Sequence, residues 1–254
     1  MRIKYIINKD SRVKDFNILI KNNFPNLLTE KKPELYLVAG GDGAMLHAIH
    51  KTIDKGIPYL GKAMGTFNFL MNSFDDDIQT INKILNDEIK IDTLSSHAIQ
   101  VYLNKNKLGE AVNDVILGDK ITSYFTFNIS SENNDFENFD VKGSGICIST
   151  TIGSTAFNYN NGGRILPLDS DILSITGVVC NRYLNDIVPF QKIYIKANGA
   201  KIYLSNIYAK TLNEGDTLVL KRGHEIKIGF LNKNDFLKRR IDLSHRYRRN
   251  GCGT

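Results

Sequence analysis

The sequence comprises 254 residues, of which 42% are hydrophobic, and carries a formal charge of +6. This length allows a substantial buried core, in one large domain or in two modest ones. No apolar run approaches the roughly 20 residues needed to span a bilayer, and Met1 to Asp10 lacks the sustained apolar segment of a secretory signal. We therefore expect a cytoplasmic protein with no membrane partner.

The positive charge is concentrated near the carboxyl terminus. Phe236 to Arg249 contains six basic residues and one acidic residue. Such a run attracts anionic ligands or nucleic acid in some proteins. More often, a basic run of this kind is a solvated tail or forms a contact between subunits. Nucleic acid is therefore not the expected partner.

The first ninety residues alternate strand-like and helix-like patterns, which is typical of a parallel sheet flanked by helices. Asp75 and Asp76 suit the start of the last helix of this region. The predicted elements, in chain order, are a strand at Arg2 to Asn8, a helix at Val13 to Phe24, a strand at Leu35 to Ala39, a helix at Gly43 to Lys55, a strand ending near Gly61 and a helix at Asp77 to Leu85.

From Ile89 onward the pattern changes to short alternating runs separated by turn residues, which predicts a mainly β region. Ser131 to Asp140 is polar and acidic and predicts an exposed hairpin tip. One helix is expected at Ser154 to Asn161, capped by Ser154 or Thr155. The predicted domains are a Rossmann-like α/β domain at residues 1–90, with the tail 235–254 packed back onto it, and a mainly β domain at residues 91–234.

A glycine-rich turn follows the predicted strand at Leu35 to Ala39. Gly40, Gly41, Asp42 and Gly43 lie where open α/β sheets bind ligands, and glycines there let backbone N–H groups approach a phosphate. A carboxylate beside a phosphate suits metal binding, proton acceptance or contact with a sugar hydroxyl. A tight turn with Asp42 as helix cap explains the same residues equally well.

Metal-ligating patterns are weak. His47 and His50 are three residues apart on one predicted helix, but no third ligand has recognisable spacing. The three cysteines, Cys147, Cys180 and Cys252, form no CxxC pair and are predicted to be reduced thiols. We expect no protein-bound metal.

Four segments in the correct order resemble the NAD kinase family. The Gly40–Gly43 turn is shared with lipid kinases and phosphofructokinases, whereas the later segments are similar to NAD kinases alone. They are Gly61 to Leu70 (GKAMGTFNFL), Ala111 to Val115 (AVNDV), the long run Gly143 to Gly163 (GSGICISTTIGSTAFNYNNGG), and Cys180 to Arg182 followed by Ile187 to Pro189.

The resemblance implies phosphorylation of NAD at its adenosine 2′-hydroxyl, with ATP or another phosphoryl donor and substrate-bound Mg²⁺. Asp42 would act as the catalytic base or orienting group. The resemblance also implies that the chain forms a homodimer or homotetramer. The substrate-binding residues implied are Gly40, Gly41, Gly43, Phe69, Asn113, Asp114, Thr155, Ala156, Phe157 and Asn160, with Ser144 at the nicotinamide end.

Several residues depart from the family pattern. Ala44 stands where the family commonly has Thr, and Ser144 replaces an Asp. Ala63 and Asn68 replace an Asn and a Gly, and Phe157 stands where Tyr is usual. Ser205 with Asn206 lies near where many relatives have an Asp followed by Gly or His.

Two other hypotheses stay open from the residues. One is a lipid or sugar kinase that shares only the glycine-rich turn, against which the Gly143 to Gly163 match argues. The other is a dinucleotide-binding protein that has lost catalysis, against which the retained Asp42 argues.

Overall fold

The computed structural model describes residues 1–65, 68–132 and 138–232, together with residues 234, 236 and 242. The chain divides into two compact units. The first contains Met1–Ser95 and the chain from Ile226 onward, and the second contains Ser96–Glu225. The predicted tail, 235–254, lies outside the described residues apart from Phe236 and Asp242. Phe236 is buried and its ring stacks on Phe230 at 3.8 Å between centroids.

The elements are numbered in chain order. The boundaries between the two units, after residues 95 and 225, fall within β4 and β14. Up to β4 they are β1 (Ile3–Ile6), α1 (Lys14–Asn23), α2 (Asn26–Thr29), β2 (Leu35–Gly40), α3 (Asp42–Thr52), β3 (Tyr59–Ala63), α4 (Asp77–Leu85) and β4 (Asp92–Leu103). The rest are β5 (Asn106–Ala111), β6 (Asp114–Gly118), β7 (Phe125–Ser131), β8 (Phe139–Ser149), α5 (Phe157–Asn160), β9 (Ile172–Cys180), β10 (Asn185–Pro189), β11 (Ile193–Lys196), β12 (Ala200–Leu204), β13 (Ile207–Leu212) and β14 (Leu218–Phe230).

The first unit is built on a parallel sheet, as the sequence predicts. β1 pairs with β2, β2 with β3, and β3 with the end of β14. Every residue of β2 is buried, because a parallel strand in the middle of such a sheet is covered on both faces. Val13, Phe16 and Ile20 form the apolar stripe of the α1 region and contribute to the core of this unit.

Helix boundaries in the first unit follow local side-chain chemistry. Asp76 caps α4 by accepting the N–H of Gln79 at 2.7 Å, which confirms the predicted helix start. The helix predicted at Gly43 to Lys55 ends earlier, at Thr52. A 3-10 turn, Ile53–Lys55, follows it and stops at Gly56 with φ +63°.

The second unit is mainly antiparallel β, again as predicted. Its strands pair in the order β11, β7, β8, β6, β12 and β13. β9 pairs with β8 and β10 pairs with β9. β7 and β8 flank the predicted hairpin tip, of which residues 133–137 lie outside the described residues. Inward side chains such as Phe127, Ile146 and Ile193 form the core of this unit.

The predicted helix at Ser154 to Asn161 is wrong in form. The chain makes a 3-10 turn, Gly153–Thr155, breaks at Ala156 (φ −101°, ψ −124°) and then forms α5. Neither Ser154 nor Thr155 caps a helix. Their hydroxyls donate to the carbonyls of Thr151 and Ile152, at 2.8 and 3.4 Å.

Within the described part of the chain, no helix is both long enough and apolar enough to cross a bilayer.

Candidate active site

The turn that joins β2 to α3 has a backbone shape that requires glycine. Gly40 has φ +145°, and a Cβ added there would lie 2.6 Å from the Cβ of Ala44. Gly41 precedes the helix in extended backbone, and α3 begins at Asp42. The turn therefore presents the amino end of an 11-residue helix, whose N–H groups and dipole favour an anion.

Asp42 holds a neighbouring loop and does not cap α3, which has no side-chain cap. Its Oδ2 accepts the N–H of Phe69 and its Oδ1 accepts the N–H of Leu70, both at 2.9 Å. Because a main-chain donor contacts each oxygen, the fold fixes the orientation of the carboxylate. The helix-cap alternative is therefore wrong. The predicted residues Asp42 and Phe69 are brought together, although 27 positions separate them.

A cavity of about 560 Å³ opens beside this turn within the first unit. It lies where β1 and β2 end and α3 begins, which is the ligand-binding edge of a parallel sheet. Besides Gly41, Gly43 and Ala44, its described lining includes apolar side chains, the carboxylate of Asp10 and four side chains of basic residues. These are Lys9, Arg12, His47 and Lys51.

The charges of this cavity are only partly compensated. Arg12 forms a fork with Asp10, with Nη2 at 2.6 Å from Oδ2, and this hydrogen bond lowers the pKa of Asp10 to about 2. Among the described residues, Lys9 and Lys51 have no ion pair. The cavity is therefore suited to an anionic ligand.

Asn68, which the sequence marks only as a departure, lies beside the turn. A Cβ added at Gly41 would be 3.5 Å from its Oδ1. That oxygen is buried and accepts no hydrogen bond within the described residues, while its Nδ2 donates to the carbonyl of Gly65. Phe69, next in the chain, is buried, and its role in substrate binding stays a prediction.

In the second unit, Asn113 is a junction for three segments. Its carbonyl accepts the N–H of Thr150 at 2.8 Å, and its own N–H donates to the hydroxyl of Ser205 at 3.3 Å. Gly153 packs directly on it, since a Cβ at Gly153 would lie 2.0 Å from the Asn113 carbonyl oxygen. Asp114, the first residue of β6, receives the N–H of Ser205 at its carbonyl, at 2.9 Å.

The side chains at this junction have unmet acceptors. Oδ1 of Asn113 and Oδ1 of Asp114 are buried and accept no hydrogen bond from the described residues. Asp114 is 2% exposed, and burial raises the pKa of its carboxyl to about 6. A buried acceptor without a donor is costly, so this pair suits a ligand that supplies amino or hydroxyl donors.

The predicted residues around α5 fall into two groups. Thr155 and Ala156, in the turn that begins at Gly153, and Phe157, the first residue of α5, are half-buried. Asn160 is exposed at the end of α5. Asn158, which the sequence does not single out, is fully buried. Its amide donates to the carbonyls of Ser154 and Arg164, and its Oδ1 accepts the hydroxyl of Ser174.

Ser144 is not brought to the Asn113 junction. Asp114 pairs with Ser149 across β6 and β8, and Ser144 lies five residues earlier on β8, which is about 17 Å along an extended strand. Its hydroxyl donates to the carbonyl of Ile121. Ser144 and Asp114 therefore mark opposite ends of one strand pair.

Within the described residues, no group of three or more His, Cys, Asp or Glu side chains is placed to hold a metal. His47 lines the first unit's cavity. Cys147 and Cys180 are free thiols, and Cys252 lies outside the described residues.

Comparison with known proteins identifies the family. Residues 11–90 match the model of the ATP-NAD kinase N-terminal domain. The NAD kinase of Rickettsia canadensis is 31% identical over 187 residues, which cover 71% of this chain and 70% of that protein. The NAD kinase of Rickettsia prowazekii is 30% identical over 182 residues, which cover 70% and 68%.

Solved structures share the fold. Yeast NADH kinase complexed with NADH superposes with a TM-score of 0.78 at 17% identity, covering 100% of this chain and 90% of that one. The NAD kinase of Archaeoglobus fulgidus in complex with ATP gives 0.72 at 15% identity, covering 96% and 99%. The chain therefore belongs to the NAD kinase family and is an enzyme of that family.

Proposed function

We propose that this enzyme transfers the γ-phosphoryl group of ATP to the adenosine 2′-hydroxyl of NAD and so forms NADP. The observation that most strongly supports this proposal is the cavity of the first unit. There, basic side chains and the amino end of α3 lie beside the glycine-rich turn that contains Asp42. Relatives named NAD kinase, and related structures complexed with NADH and with ATP, support the choice of substrates. The alternative of a lipid or sugar kinase is set aside by the family assignment.

The first unit's cavity is proposed to hold the donor phosphates. Gly41 and Gly43 allow close approach of the main chain, and Lys9 and Lys51 supply positive charge. Phosphoryl transfer asks little covalent chemistry of a protein, so positioning and charge stabilisation supply most of the rate.

Asp42 is proposed to orient the acceptor hydroxyl and receive its proton. The N–H groups of Phe69 and Leu70 fix the carboxylate, so it does not reorganise during the reaction. This geometry favours a role for Asp42 in orienting the acceptor hydroxyl, because main-chain groups rather than mobile side chains position the carboxylate.

The Asn113 junction is proposed to recognise adenosine. The unmet Oδ1 atoms of Asn113 and Asp114 suit the adenine amino group and a ribose hydroxyl. Ser144, at the other end of the strand pair, is proposed for the nicotinamide end. The remaining substrate contacts proposed from the family are Phe69, Thr155, Ala156, Phe157 and Asn160.

Mg²⁺ is proposed to enter with the donor as a substrate complex. Mg²⁺ commonly binds phosphates and water with one or two protein carboxylates, so a dedicated protein cage is not required. The described residues fit this arrangement, since Asp42 is the carboxylate of the phosphate-binding turn. The ion would neutralise charge that develops on the transferred group.

Self-association into a homodimer or homotetramer is proposed from the family alone. Light scattering at micromolar protein concentration tests it, and a monomer would contradict it. The expected cytoplasmic location stays a prediction.

The first experiment measures NADP formation from NAD and Mg-ATP by the purified chain, with a coupled NADP-specific dehydrogenase. Asp42→Asn is the matched variant. Turnover that depends on Asp42 supports the proposal. Failure to form NADP with ATP, other nucleoside triphosphates or polyphosphate, while NAD still binds, would refute catalysis and leave a silent dinucleotide-binding protein.

A further inference from the structure

A second hollow, of about 630 Å³, lies in the second unit where the β9–β10 hairpin approaches β8 and the turn after α5. We call it the Arg182 hollow. Its volume is that of a small-molecule site. None of its lining residues belongs to the proposed substrate or donor contacts. The lining is Asn138, Phe139, Arg164, Arg182, Tyr183, Leu184, Asn185, Asp186, Ile187 and Val188.

Tyr183 presents an anchored aromatic face. Its side chain is 86% exposed, yet its hydroxyl accepts a hydrogen bond from Nδ2 of Asn185 at 2.7 Å. The same Nδ2 donates to the carbonyl of Gly162 at 2.9 Å, and the neighbouring Leu184 is buried. The ring is therefore held at both ends and offers a flat surface for stacking with little loss of conformational entropy.

Two arginines supply the positive charge of the hollow. The guanidinium of Arg182 lies 5.1 Å from the ring centroid of Phe139, which restrains it through a cation–π contact. Among the described residues, neither Arg182 nor Arg164 has an ion pair. Two guanidinium groups without carboxylate partners are suited to bidentate binding of a phosphate.

The hollow also contains polar atoms suited to a sugar and a base. Asn185 has a buried Oδ1 that accepts no hydrogen bond from the described residues. Asp186 is exposed and is the one carboxylate among the described residues that line the hollow. A lone phosphate would use the arginines but not Tyr183, Asn185 or this carboxylate.

We propose that the Arg182 hollow binds a nucleoside phosphate, with the base stacked on Tyr183 and the phosphate held by Arg182 and Arg164. This is a second nucleotide site, separate from the proposed substrate and donor contacts. Asn185 accepts a hydrogen bond from the base amino group, and Asp186 accepts one from the ribose. An effector of this kind would couple the enzyme to the supply of nucleotides.

The test is photolabelling of the full chain with 8-azidoadenosine 5′-monophosphate in the presence of saturating NAD, followed by mass-spectrometric mapping. The expected label lies on the peptide that contains Tyr183. Arg182→Met keeps an apolar contact with Phe139 and is expected to raise the half-saturating concentration at least about tenfold. Lys210→Gln, which removes an exposed cation of the same unit outside the lining, is expected to leave it unchanged.

A second pair of variants tests stacking. Tyr183→Ala is expected to weaken binding about tenfold, whereas Tyr183→Phe keeps the ring and nearly all of the affinity. Labelling confined to other peptides, displacement by NAD, equal competition by adenosine, or no effect of Arg182→Met would each overturn the proposal. Because none of these readouts needs turnover, the result is independent of the proposed kinase reaction.

Discussion

Asp114 is expected to lower the stability of the fold at neutral pH, and its replacement by Asn is expected to raise it. The carboxyl is 2% exposed and its pKa is raised from 3.8 to about 6 by burial. Between these two values the folded chain binds more protons at this residue than the unfolded chain, so the free energy of unfolding falls as pH rises. A difference of two pKa units corresponds to about 3 kcal/mol, which is lost by pH 7.

Asp114→Asn keeps the shape of the side chain but removes its ionisation. We expect the variant to exceed the wild type by about 1–3 kcal/mol at pH 8, a rise in Tm of roughly 3–10 °C, and to match it near pH 4. Urea unfolding followed by circular dichroism at pH 4, 6 and 8 measures the difference. A variant that is no more stable at pH 8, or a difference independent of pH, would refute the reasoning.

Asp216→Asn is the matched control, because this half-buried residue has a carboxyl pKa lowered by its hydrogen bonds with Asn104 and Asn213. The stabilising contribution of this carboxyl is present above its pKa in the unfolded chain. It is lost as pH falls through the lower pKa of the carboxyl in the folded chain. The control is therefore expected to lose stability at pH 8, opposite in sign to Asp114→Asn.

Three further variants test the proposed roles. Asp42→Asn should lower kcat by orders of magnitude. The variant also places an amide N–H against the main-chain N–H of Phe69 or Leu70. NAD affinity is therefore measured by calorimetry beside turnover. Gly153→Ala should destabilise the fold by several kcal/mol in thermal unfolding, because its Cβ would lie 2.0 Å from a carbonyl oxygen, and wild-type stability would disprove that packing. Lys51→Gln should raise the KM for ATP about fivefold at low salt with kcat nearly unchanged. Lys55→Gln is the control, because Lys55 pairs with Asp54 outside the cavity lining, and it should leave the KM unchanged. Equal effects of the two variants would remove Lys51 from donor binding.

Local sequence predicts the first unit well because its determinants are local. The buried run of β2, the glycines that follow it and the Asp76 cap each act within a few residues. The same features place Asp42 at the ligand-binding edge of a parallel sheet. They do not reveal that Asp42 anchors Phe69 and Leu70, since 27 positions, which include α3 and β3, separate Asp42 from Phe69.

The second unit shows where local patterns fail. Ser154 and Thr155 have the composition of a helix cap, but Gly153 packs on the carbonyl of Asn113, and the chain turns to accommodate it. Ser205 contacts Asn113 across 92 residues, and the sequence marked it only as a departure from the family pattern. Contacts of this kind follow from strand register, which spacing along one segment does not determine.

Asn113 and Asp114 separate two tasks between backbone and side chain. Their main-chain atoms bind Thr150 and Ser205 and hold the junction together. The Oδ1 atoms of their side chains are buried and accept no hydrogen bond from the described residues, and one of them belongs to a carboxyl whose ionised form the fold disfavours. A chain selected only for stability would pair these atoms or replace them with apolar groups. The presence of these atoms at a residue pair already fixed by its backbone is explained if a ligand supplies the missing donors. The proposed recognition of adenosine and the cost to stability would then have the same physical origin.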